Sequence, residues 1–325
     1  MTRADEFSRA ALDQTAALVH ATLPATAQYV WPLVAQRAGT EVWVKHENHT
    51  PVGSFKIRGG LVYMQDFRQS RGTSGGVIAA TRGNHGQSIA YAAAATGVSA
   101  TIVVPHGNSR EKNAAMAAFG AELITHGADF NEALDHARGL TEARDLHMVP
   151  SFHPLLVRGV ASYAMELFAA APDLDTVYVP IGLGSGLCGT IAARDALGLA
   201  TRVVGVVAAE AAAYAMSFAR GVPVATNSAD TLADGMAVRV PDPAALAMIR
   251  AGADRIVTVS EDEIRAAMRH LFTDTHNVAE GAGAAALAAL LQEGATKAGA
   301  KAAVILSGGN VDRDVFASVL AQAPD

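Results

Sequence analysis

A lysine at the start of a predicted helix is one of the few residues in this sequence whose position favours chemistry. Lys56 lies in the segment GSFKIRGG at 53–60, which predicts a helix capped by Ser54. Because helix N-termini favour anions, an ammonium in the first turn is mildly penalised and the free amine becomes a better nucleophile. The alternative is a surface lysine whose ammonium reaches water, and position alone favours neither interpretation.

The segment TRGNHGQ at 81–87 follows a predicted strand and opens a helix that should end near Gly97. Free backbone N–H groups at such a helix start can bind a carboxylate or a phosphate. Asn84 can both donate and accept a hydrogen bond, which suits a phenolic oxygen near an imine. The alternative is a capping turn with a buried, hydrogen-bonded His85, and for this segment alone that interpretation is favoured.

Two further turns follow predicted strands. The segment GLGSGLCG at 182–189 is a glycine-rich loop, where backbone N–H groups and the Ser185 hydroxyl can cradle a phosphate. Alternatively, its glycines only permit a tight turn. Ser307 follows the last predicted strand, and its hydroxyl could form a neutral hydrogen bond with a pyridine nitrogen. The alternative for Ser307 is an ordinary turn.

The same glycine-rich loop supports a rival interpretation. Gly184, Gly186 and Gly189 match the pattern G-x-G-x-x-G, and Glu210 lies at about the right distance downstream to bind a ribose hydroxyl. A nicotinamide-dependent oxidoreductase is therefore the alternative function. It is disfavoured because the pattern begins after half the chain has passed and leaves the 53–60 and 81–87 segments without a role. A lone match to this pattern is weak evidence.

Elements with a βαβ rhythm must position these turns. Short β-branched runs alternate with longer alanine-rich stretches. The predicted strands cover residues 42–45, 77–80, 101–104, 122–125, 177–181, 202–207, 255–259 and 303–306. Strands separated by helices predict an α/β fold with parallel sheets covered on both faces, whose ligands bind beyond the carboxyl ends of the strands.

The composition fits a globular protein and excludes several classes of partner. Of 325 residues, 50% are apolar and 17% are charged, which is enough to bury a sizeable core. The net charge is −6 and the basic residues are scattered, so no nucleic-acid partner is expected. No apolar run approaches the roughly 20 residues of a membrane span, and no signal peptide is recognisable. We expect a cytoplasmic protein that acts on a small molecule.

Taken together and in this order, the turns resemble those of the fold-type II pyridoxal-phosphate enzymes, specifically the threonine and serine dehydratase group. The resemblance covers nearly the whole chain. It rests on GSFKIRGG at 53–60, GNHGQ at 83–87, the glycine loop at 182–186, TLADGMAV at 231–238 and SGGN at 307–310. It implies two open parallel-sheet lobes of the tryptophan synthase β type, with pyridoxal 5′-phosphate in the cleft between them.

The resemblance also implies which residues form the site. Lys56 would hold the cofactor as a Schiff base and serve as the catalytic base. The other cofactor-binding residues would be Phe55, Asn84, Gly182, Leu183, Gly184, Ser185, Gly186, Glu280 and Ser307. The substrate-binding residues would be Ser54, Thr81, Arg82, Asn84, His85 and Gly235.

The implied reaction is the dehydration of an L-β-hydroxy-α-amino acid to a 2-oxo acid and ammonia, with L-threonine and L-serine as the expected substrates. Two departures from the family pattern, Arg82 and the Leu183 and Ser185 interruptions of the glycine loop, leave room for 3-phenylserine or 3-hydroxyaspartate. Arg82 stands where serine racemases carry a serine, so racemisation is not expected. Arg82 would pair with the substrate carboxylate, stack on an aromatic side chain, or form a solvated ion pair.

The resemblance predicts a large cofactor-binding domain from residues 1–52 and 151–325, and a small mobile domain from residues 53–150. We expect a homodimer or a larger homo-oligomer. No metal site is predicted, and the single cysteine, Cys188, should be buried and excludes a disulfide framework. The chain ends soon after the 307–310 turn, so no regulatory domain is expected.

Overall fold

The computed structural model describes residues 6–322. The strands are β1 (Gln28–Val30), β2 (Glu41–His46), β3 (Val77–Ala80), β4 (Ala100–Val104), β5 (Glu122–Thr125), β6 (His147–Met148), β7 (Thr176–Pro180), β8 (Arg202–Ala208), β9 (Arg255–Val259) and β10 (Lys301–Leu306). Each strand predicted from the sequence is present, with bounds that differ by at most two residues.

Helices occupy most of the connections between the strands. They are α1 (Arg9–His20), α2 (Pro32–Ala38), α3 (Lys56–Arg71), α4 (Asn84–Thr96), α5 (Arg110–Ala118), α6 (Phe130–Arg144), α7 (Pro154–Ala170), α8 (Ser185–Ala196), α9 (Ala213–Arg220), α10 (Pro243–Gly252), α11 (Glu261–Thr275), α12 (Gly281–Ala298) and α13 (Arg313–Leu320). Within residues 6–322, none of the helices is long and apolar enough to cross a membrane.

The strands form two sheets, as the α/β prediction requires. A six-stranded sheet has the order β1-β2-β10-β7-β8-β9, and a four-stranded sheet has the order β5-β4-β3-β6. All neighbours are parallel except β1, which pairs antiparallel with β2. The expectation of purely parallel sheets is therefore wrong at one edge, because β1 is too short to show a strand pattern in the sequence.

The central strands of the six-stranded sheet bury alternate residues in different cores. Tyr178 and Val304 belong to one hydrophobic cluster together with residues of α12, whereas Val177, Val179 and Ile305 belong to another together with residues of α7 and α8. Because successive side chains of a strand point to opposite faces, this alternation means that helices cover both faces of the sheet. The ends of the strands are left as the place for ligands.

Helix α3 connects the two sheets. It packs against α4, which follows a strand of the four-stranded sheet, and against α7, which leads into the six-stranded sheet. The four-stranded sheet uses residues between 77 and 148, and the six-stranded sheet uses residues 28–46 and 176–306. The predicted domain boundaries at 53 and 150 remain a prediction.

The start of α3 differs from the sequence prediction. Ser54 does not cap the helix, because Phe55 occupies the position before it and no side chain supplies a cap. Ser54 instead forms an isolated backbone bridge with Gly308, and its buried hydroxyl has no hydrogen-bond partner in the described chain. The bridge draws the chain next to the turn after β10 and places Lys56 as the first helical residue.

Candidate functional site

A single cavity collects the residues that the sequence singled out. Its volume is about 400 Å³, and residues that follow strands of both sheets line it. The predicted site residues in the lining are Phe55, Lys56, Thr81, Arg82, Asn84, His85, Gly182, Leu183, Gly184, Ser185, Gly186, Gly235, Glu280 and Ser307. Ser54 is the predicted residue that does not line the cavity.

Lys56 has a buried amine in this cavity. Its Nζ donates a hydrogen bond to Ser185 Oγ at 3.1 Å and lies 5.1 Å from the centre of the Phe55 ring. Burial lowers the pKa of Lys56 from 10.5 to about 8, because the ammonium is deprived of water. The neutral amine needed for nucleophilic chemistry is therefore readily available near neutral pH.

Each of the three glycines in the 182–186 loop is needed for a different reason. A Cβ on Gly182 would lie 2.3 Å from the carbonyl oxygen of Gly235, and Gly184 has a φ of +100°, so the fold itself requires both glycines. A Cβ on Gly186 would make only ordinary contacts, the nearest at 3.5 Å from the Phe55 ring. Packing does not explain a glycine at 186, whereas the close approach of a ligand to the backbone would.

The same loop presents unsatisfied donors at the start of α8. The Leu183 and Gly186 carbonyl oxygens accept hydrogen bonds from Tyr214 and Tyr163. In contrast, the backbone N–H groups of residues 183–186 donate to nothing else in the part of the chain that the structure describes. Free N–H groups at a helix N-terminus are a binding site for an anion such as a phosphate.

The 81–87 segment adds a second helix start to the cavity. Thr81 Oγ1 accepts a hydrogen bond from Gly83 N at 2.9 Å, which shapes the turn before α4. Burial, together with the nearby Lys56 ammonium, lowers the pKa of His85 to about 3, so this imidazole is neutral. His85 Nε2 is buried without a hydrogen-bond partner among the described residues, contrary to the interpretation of a satisfied core histidine.

Ser307, at the end of β10, lies next to the start of α3 and lines the cavity. Its backbone carbonyl accepts a hydrogen bond from Phe55 N at 3.0 Å, which ties the turn after β10 to the start of α3. The Ser307 hydroxyl lines the cavity and has no hydrogen-bond partner among residues 6–322. A ring nitrogen could accept from this hydroxyl.

Three charged side chains, the buried Lys112 and Glu280 and the half-buried Asp234, form a group that we call the cavity cluster. Lys112 Nζ lies 2.6 Å from Asp234 Oδ2 and 3.0 Å from Glu280 Oε2. Burial alone would lower the pKa of Lys112, but the two carboxylates outweigh it and hold that pKa above its usual range. Lys112 therefore carries its proton. Burial raises the pKa of Glu280, and Lys112 opposes that shift.

Sequence reasoning missed Lys112 and the charge of Asp234. Asp234 lies in the TLADGMAV segment at 231–238, but sequence reasoning assigned it no role. Lys112 follows an ordinary helix cap, Ser109. In the sequence, a lysine in the first turn of a polar helix gives no sign of burial. Its partners lie 122 and 168 residues away along the chain, so only the folded structure reveals them.

Arg82 lies at the exposed side of the cavity. Its side chain is solvent-exposed, and neither a hydrogen bond nor an ion pair joins it to any residue between 6 and 322. The solvated ion pair considered for it is therefore absent from the described chain. Asp129 and Arg239, which also line the cavity, pair at 3.5 Å.

A family match agrees with this geometry. The model of the family described as "Pyridoxal-phosphate dependent enzyme" matches residues 26–308. The chain belongs to this family. Pyridoxal-phosphate enzymes need an amine to hold the aldehyde and an anion site for the phosphate. The buried Lys56 amine and the free N–H groups at 183–186 supply both, so these residues fit the cofactor.

Relatives of this pyridoxal-phosphate enzyme have related names. An "L-threonine ammonia-lyase" of Thermotoga maritima is 32% identical over 89% of this chain and 72% of its own length. A catabolic L-threonine dehydratase of Escherichia coli is 34% identical over 86% and 85%. The solved structure of a processed threonine deaminase from Solanum lycopersicum has a TM-score of 0.88 at 28% identity, and the match covers 97% of this chain and 95% of that one.

Family membership also decides between the cofactors considered for the glycine loop. The alternative of a nicotinamide-dependent oxidoreductase using Gly184, Gly186 and Gly189 is wrong, because the chain is a pyridoxal-phosphate enzyme. Gly189, part of the dinucleotide-binding pattern, has a packing role instead. A Cβ there would lie 3.0 Å from the backbone nitrogen of Ala161, so this glycine permits close packing of α8 against α7.

Proposed function

We propose that this lyase converts L-threonine or L-serine into a 2-oxo acid and ammonia. The observation that carries the proposal is the buried Lys56 amine, which lies in one cavity with a free-amide helix start. The names of the relatives support the substrate class, since they are ammonia-lyases and dehydratases of L-threonine. In the net reaction, the water lost by elimination is returned when the released enamine product hydrolyses.

Bound pyridoxal phosphate supplies an aldehyde for condensation with an amino group and a ring that draws electrons from the α carbon. The free N–H groups of residues 183–186 would hold the phosphate, and the Ser307 hydroxyl would donate to the ring nitrogen. A serine, unlike an aspartate, would not keep that nitrogen protonated, which would favour prompt loss of the β-hydroxyl group. Asn84 and Glu280 also line the cavity, where Asn84 would contact the cofactor.

Lys56 has two roles in this proposal. It would hold the cofactor in the resting enzyme, and its free amine would act as the general base for the α proton of the substrate. Thr81 and His85 receive the substrate carboxylate together with Asn84. The neutral His85 imidazole suits this position, because its unpartnered Nε2 can donate to a carboxylate if the proton resides on that nitrogen. Residues 53–150 close over the bound substrate.

The first experiment is the absorption spectrum of the purified protein after incubation with pyridoxal phosphate. We expect a visible band that is absent from the Lys56→Ala variant and 2-oxo acid formation from L-threonine or L-serine. Lys301→Ala is the matched control, since Lys301 lies at the other end of β10 and should retain both signals. A wild-type protein without a Lys56-dependent band would refute the proposed function.

A second group of substrates is favoured by Arg82. Its unpaired guanidinium lines the cavity and could meet an anionic β substituent, as in 3-hydroxyaspartate. Phe130, Val238 and Val240 also line the cavity and would suit the phenyl group of 3-phenylserine. Comparing kcat/KM for these two compounds with that for L-threonine tests the choice. A preference for L-threonine that is unchanged in Arg82→Ala would exclude a role for Arg82 in selecting the substrate.

A further inference from the structure

Lys112 lies in a position that the proposed reaction does not yet use. Its side chain is only 5% exposed, and its ammonium lies between Asp234 and Glu280. Burying an ammonium is costly unless carboxylates compensate it, and Asp234 and Glu280 supply that compensation here. The ion pairs also join different parts of the molecule, because α5 flanks the four-stranded sheet, whereas Glu280 precedes α12 of the six-stranded sheet.

Glu280 passes the influence of Lys112 to Asn84. Its second carboxylate oxygen, Oε1, accepts a hydrogen bond from Asn84 Nδ2 at 2.6 Å. The other end of the Asn84 amide, Oδ1, accepts from Asn310 Nδ2 at 2.8 Å. Asn310 in turn is fixed by donating to the Val52 carbonyl oxygen at 2.8 Å. Lys112, Glu280, Asn84 and Asn310 thus form one continuous chain of polar contacts.

The charge on Glu280 decides which way Asn84 points. An ionised carboxylate can only accept hydrogen bonds, so it selects the NH₂ end of the Asn84 amide. A protonated Glu280 could donate and would also accommodate the flipped amide. Asp234 adds a second carboxylate beside Glu280, which favours uptake of a proton by the pair unless a cation lies between them. Lys112 is that cation.

The position of Lys112 depends on how α5 is docked. Asp312, which precedes α13, accepts hydrogen bonds from Ser109 Oγ at 2.5 Å and from the backbone nitrogens of Arg110 and Glu111 at 3.3 Å. Glu111 Oε1 in return accepts from Arg313 N at 2.9 Å. Asp312 therefore caps the start of α5, and Glu111 caps the start of α13. The dipoles of both helices favour a carboxylate at these positions.

We propose that Lys112 is a positioning residue for the reaction: its ammonium, which docking of α5 brings between Asp234 and Glu280, keeps Glu280 a hydrogen-bond acceptor and so fixes Asn84 against the cofactor. The proposal rests on the proposed function, in which Asn84 contacts the cofactor and the substrate. Lys112 itself acts through Glu280 and takes no part in bond making.

The test compares Lys112→Met, Glu280→Gln and the double variant as holoenzymes. Lys112→Met should lower kcat by about 10- to 100-fold, as expected for misplacement of a group at the reacting centre. It should also change the pH titration of the visible cofactor band, which a merely structural lysine would not affect. The control is Lys301→Met, because Lys301 also lies between two carboxylates, Asp173 and Glu41, but at the far end of β10.

The double variant provides the decisive comparison. The amide introduced by Glu280→Gln cannot take up a proton, so removing Lys112 should then cost little, and the double variant should resemble Glu280→Gln in kcat and in its spectrum. It also lacks the uncompensated Glu280 carboxylate, so it remains testable even where Lys112→Met folds poorly. Multiplicative losses in kcat, or a Lys112→Met spectrum that titrates like the wild type, would overturn the proposal.

Failure of this proposal is distinct from failure of the proposed function. The function fails when the wild-type protein shows no visible band that depends on Lys56. The positioning role fails when the wild type shows that band and the Lys112 variants titrate as it does. Changes in hydrogen exchange of α5 that occur in Lys112→Met without any change in kcat or spectrum would also count against the positioning role.

Discussion

Two buried ionic groups in this molecule differ in their charge balance. The rear cluster consists of Lys45, Glu47, Arg58 and Glu166, two cations with two anions. The cavity cluster has one cation, Lys112, with two anions. The two cations and two anions of the rear cluster balance, and the partly exposed His20 contacts Glu166 at its edge at 2.8 Å. This arrangement suits a group that only supports the fold. The cavity cluster carries an excess negative charge beside the space for a ligand.

Each member of the rear cluster has its charge compensated. Arg58 lies 2.7 Å from Glu47 and 2.6 Å from Glu166, and Lys45 lies 2.5 Å from Glu166. Burial would raise the pKa of Glu166, but Arg58 and Lys45 outweigh it and lower that pKa to about 2. Because Arg58 follows Lys56 by two residues on α3, the cluster also fixes the helix that carries the cavity amine. In this molecule, the ionic cluster with balanced charges supports the fold, whereas the cluster with excess negative charge lies beside the cavity.

The largest expected effect comes from removing one cation from the rear cluster, which then has more anions than cations, as the cavity cluster does. Arg58→Met leaves one cation with two buried carboxylates, and losing one partner of a buried ion pair costs about 3–5 kcal/mol. We expect that loss in the free energy of unfolding, measured with urea. Arg58→Met/Glu47→Gln should recover part of it, since one stranded charge is removed. A single variant as stable as the wild type would contradict the supporting role.

The sequence reveals the cavity cluster and the rear cluster unequally. Within the cavity cluster, the family resemblance implied Glu280, whereas Lys112 and the role of Asp234 were missed. Lys56 and Ser307 line the same cavity and lie in glycine-rich segments, which are local patterns. Periodicity likewise predicted the eight longer strands. Arg58 reads as one more helix residue, and its burial depends on Glu166, 108 residues away. The antiparallel pairing of β1 and the bridge between Ser54 and Gly308 likewise depend on contacts between distant parts of the chain, so no single segment predicts them.

The next effect comes from balancing the cavity cluster. Glu280→Gln leaves Lys112 with Asp234 alone, so the excess negative charge disappears. We expect the free energy of unfolding to change by less than about 1 kcal/mol, because a hydrogen-bonding group of the same shape remains. Turnover of L-threonine should nevertheless fall by about 10-fold or more, since the donor and acceptor pattern facing Asn84 changes. Loss of stability without loss of turnover would reverse the assignment of the two clusters.

Lys56 has no carboxylate partner among the described residues, and its pKa reflects that isolation. Burial lowers its pKa from 10.5 to about 8, so the neutral amine predominates above that pH. The rate at which cofactor-free protein captures pyridoxal phosphate should rise about tenfold from pH 7 to pH 9 and then level off. Stopped-flow absorption measures it. A rate still rising steadily beyond about pH 9.5 would mean an ordinary, solvated lysine.

The same shift makes a stability prediction with a definite sign. The unfolded chain protonates Lys56 below 10.5, whereas the folded chain does so only below about 8. Between these values the unfolded state binds more protons, so the cofactor-free protein gains stability as the pH rises. In Lys56→Met this contribution should be missing. A parallel pH dependence of unfolding in both proteins would argue against a buried amine.

The smallest effect on the free energy of unfolding is expected from an exposed ion pair outside both clusters. Arg9 and Asp13 form an ion pair at 2.8 Å on α1, with side chains 56% and 51% exposed. Arg9→Ala should change the free energy of unfolding by about 0.5 kcal/mol or less, because water screens exposed charges one turn apart on a helix. High salt should erase even this difference, whereas the loss in Arg58→Met should persist. Equal salt sensitivity of the two variants would show that burial does not distinguish the rear cluster from surface pairs.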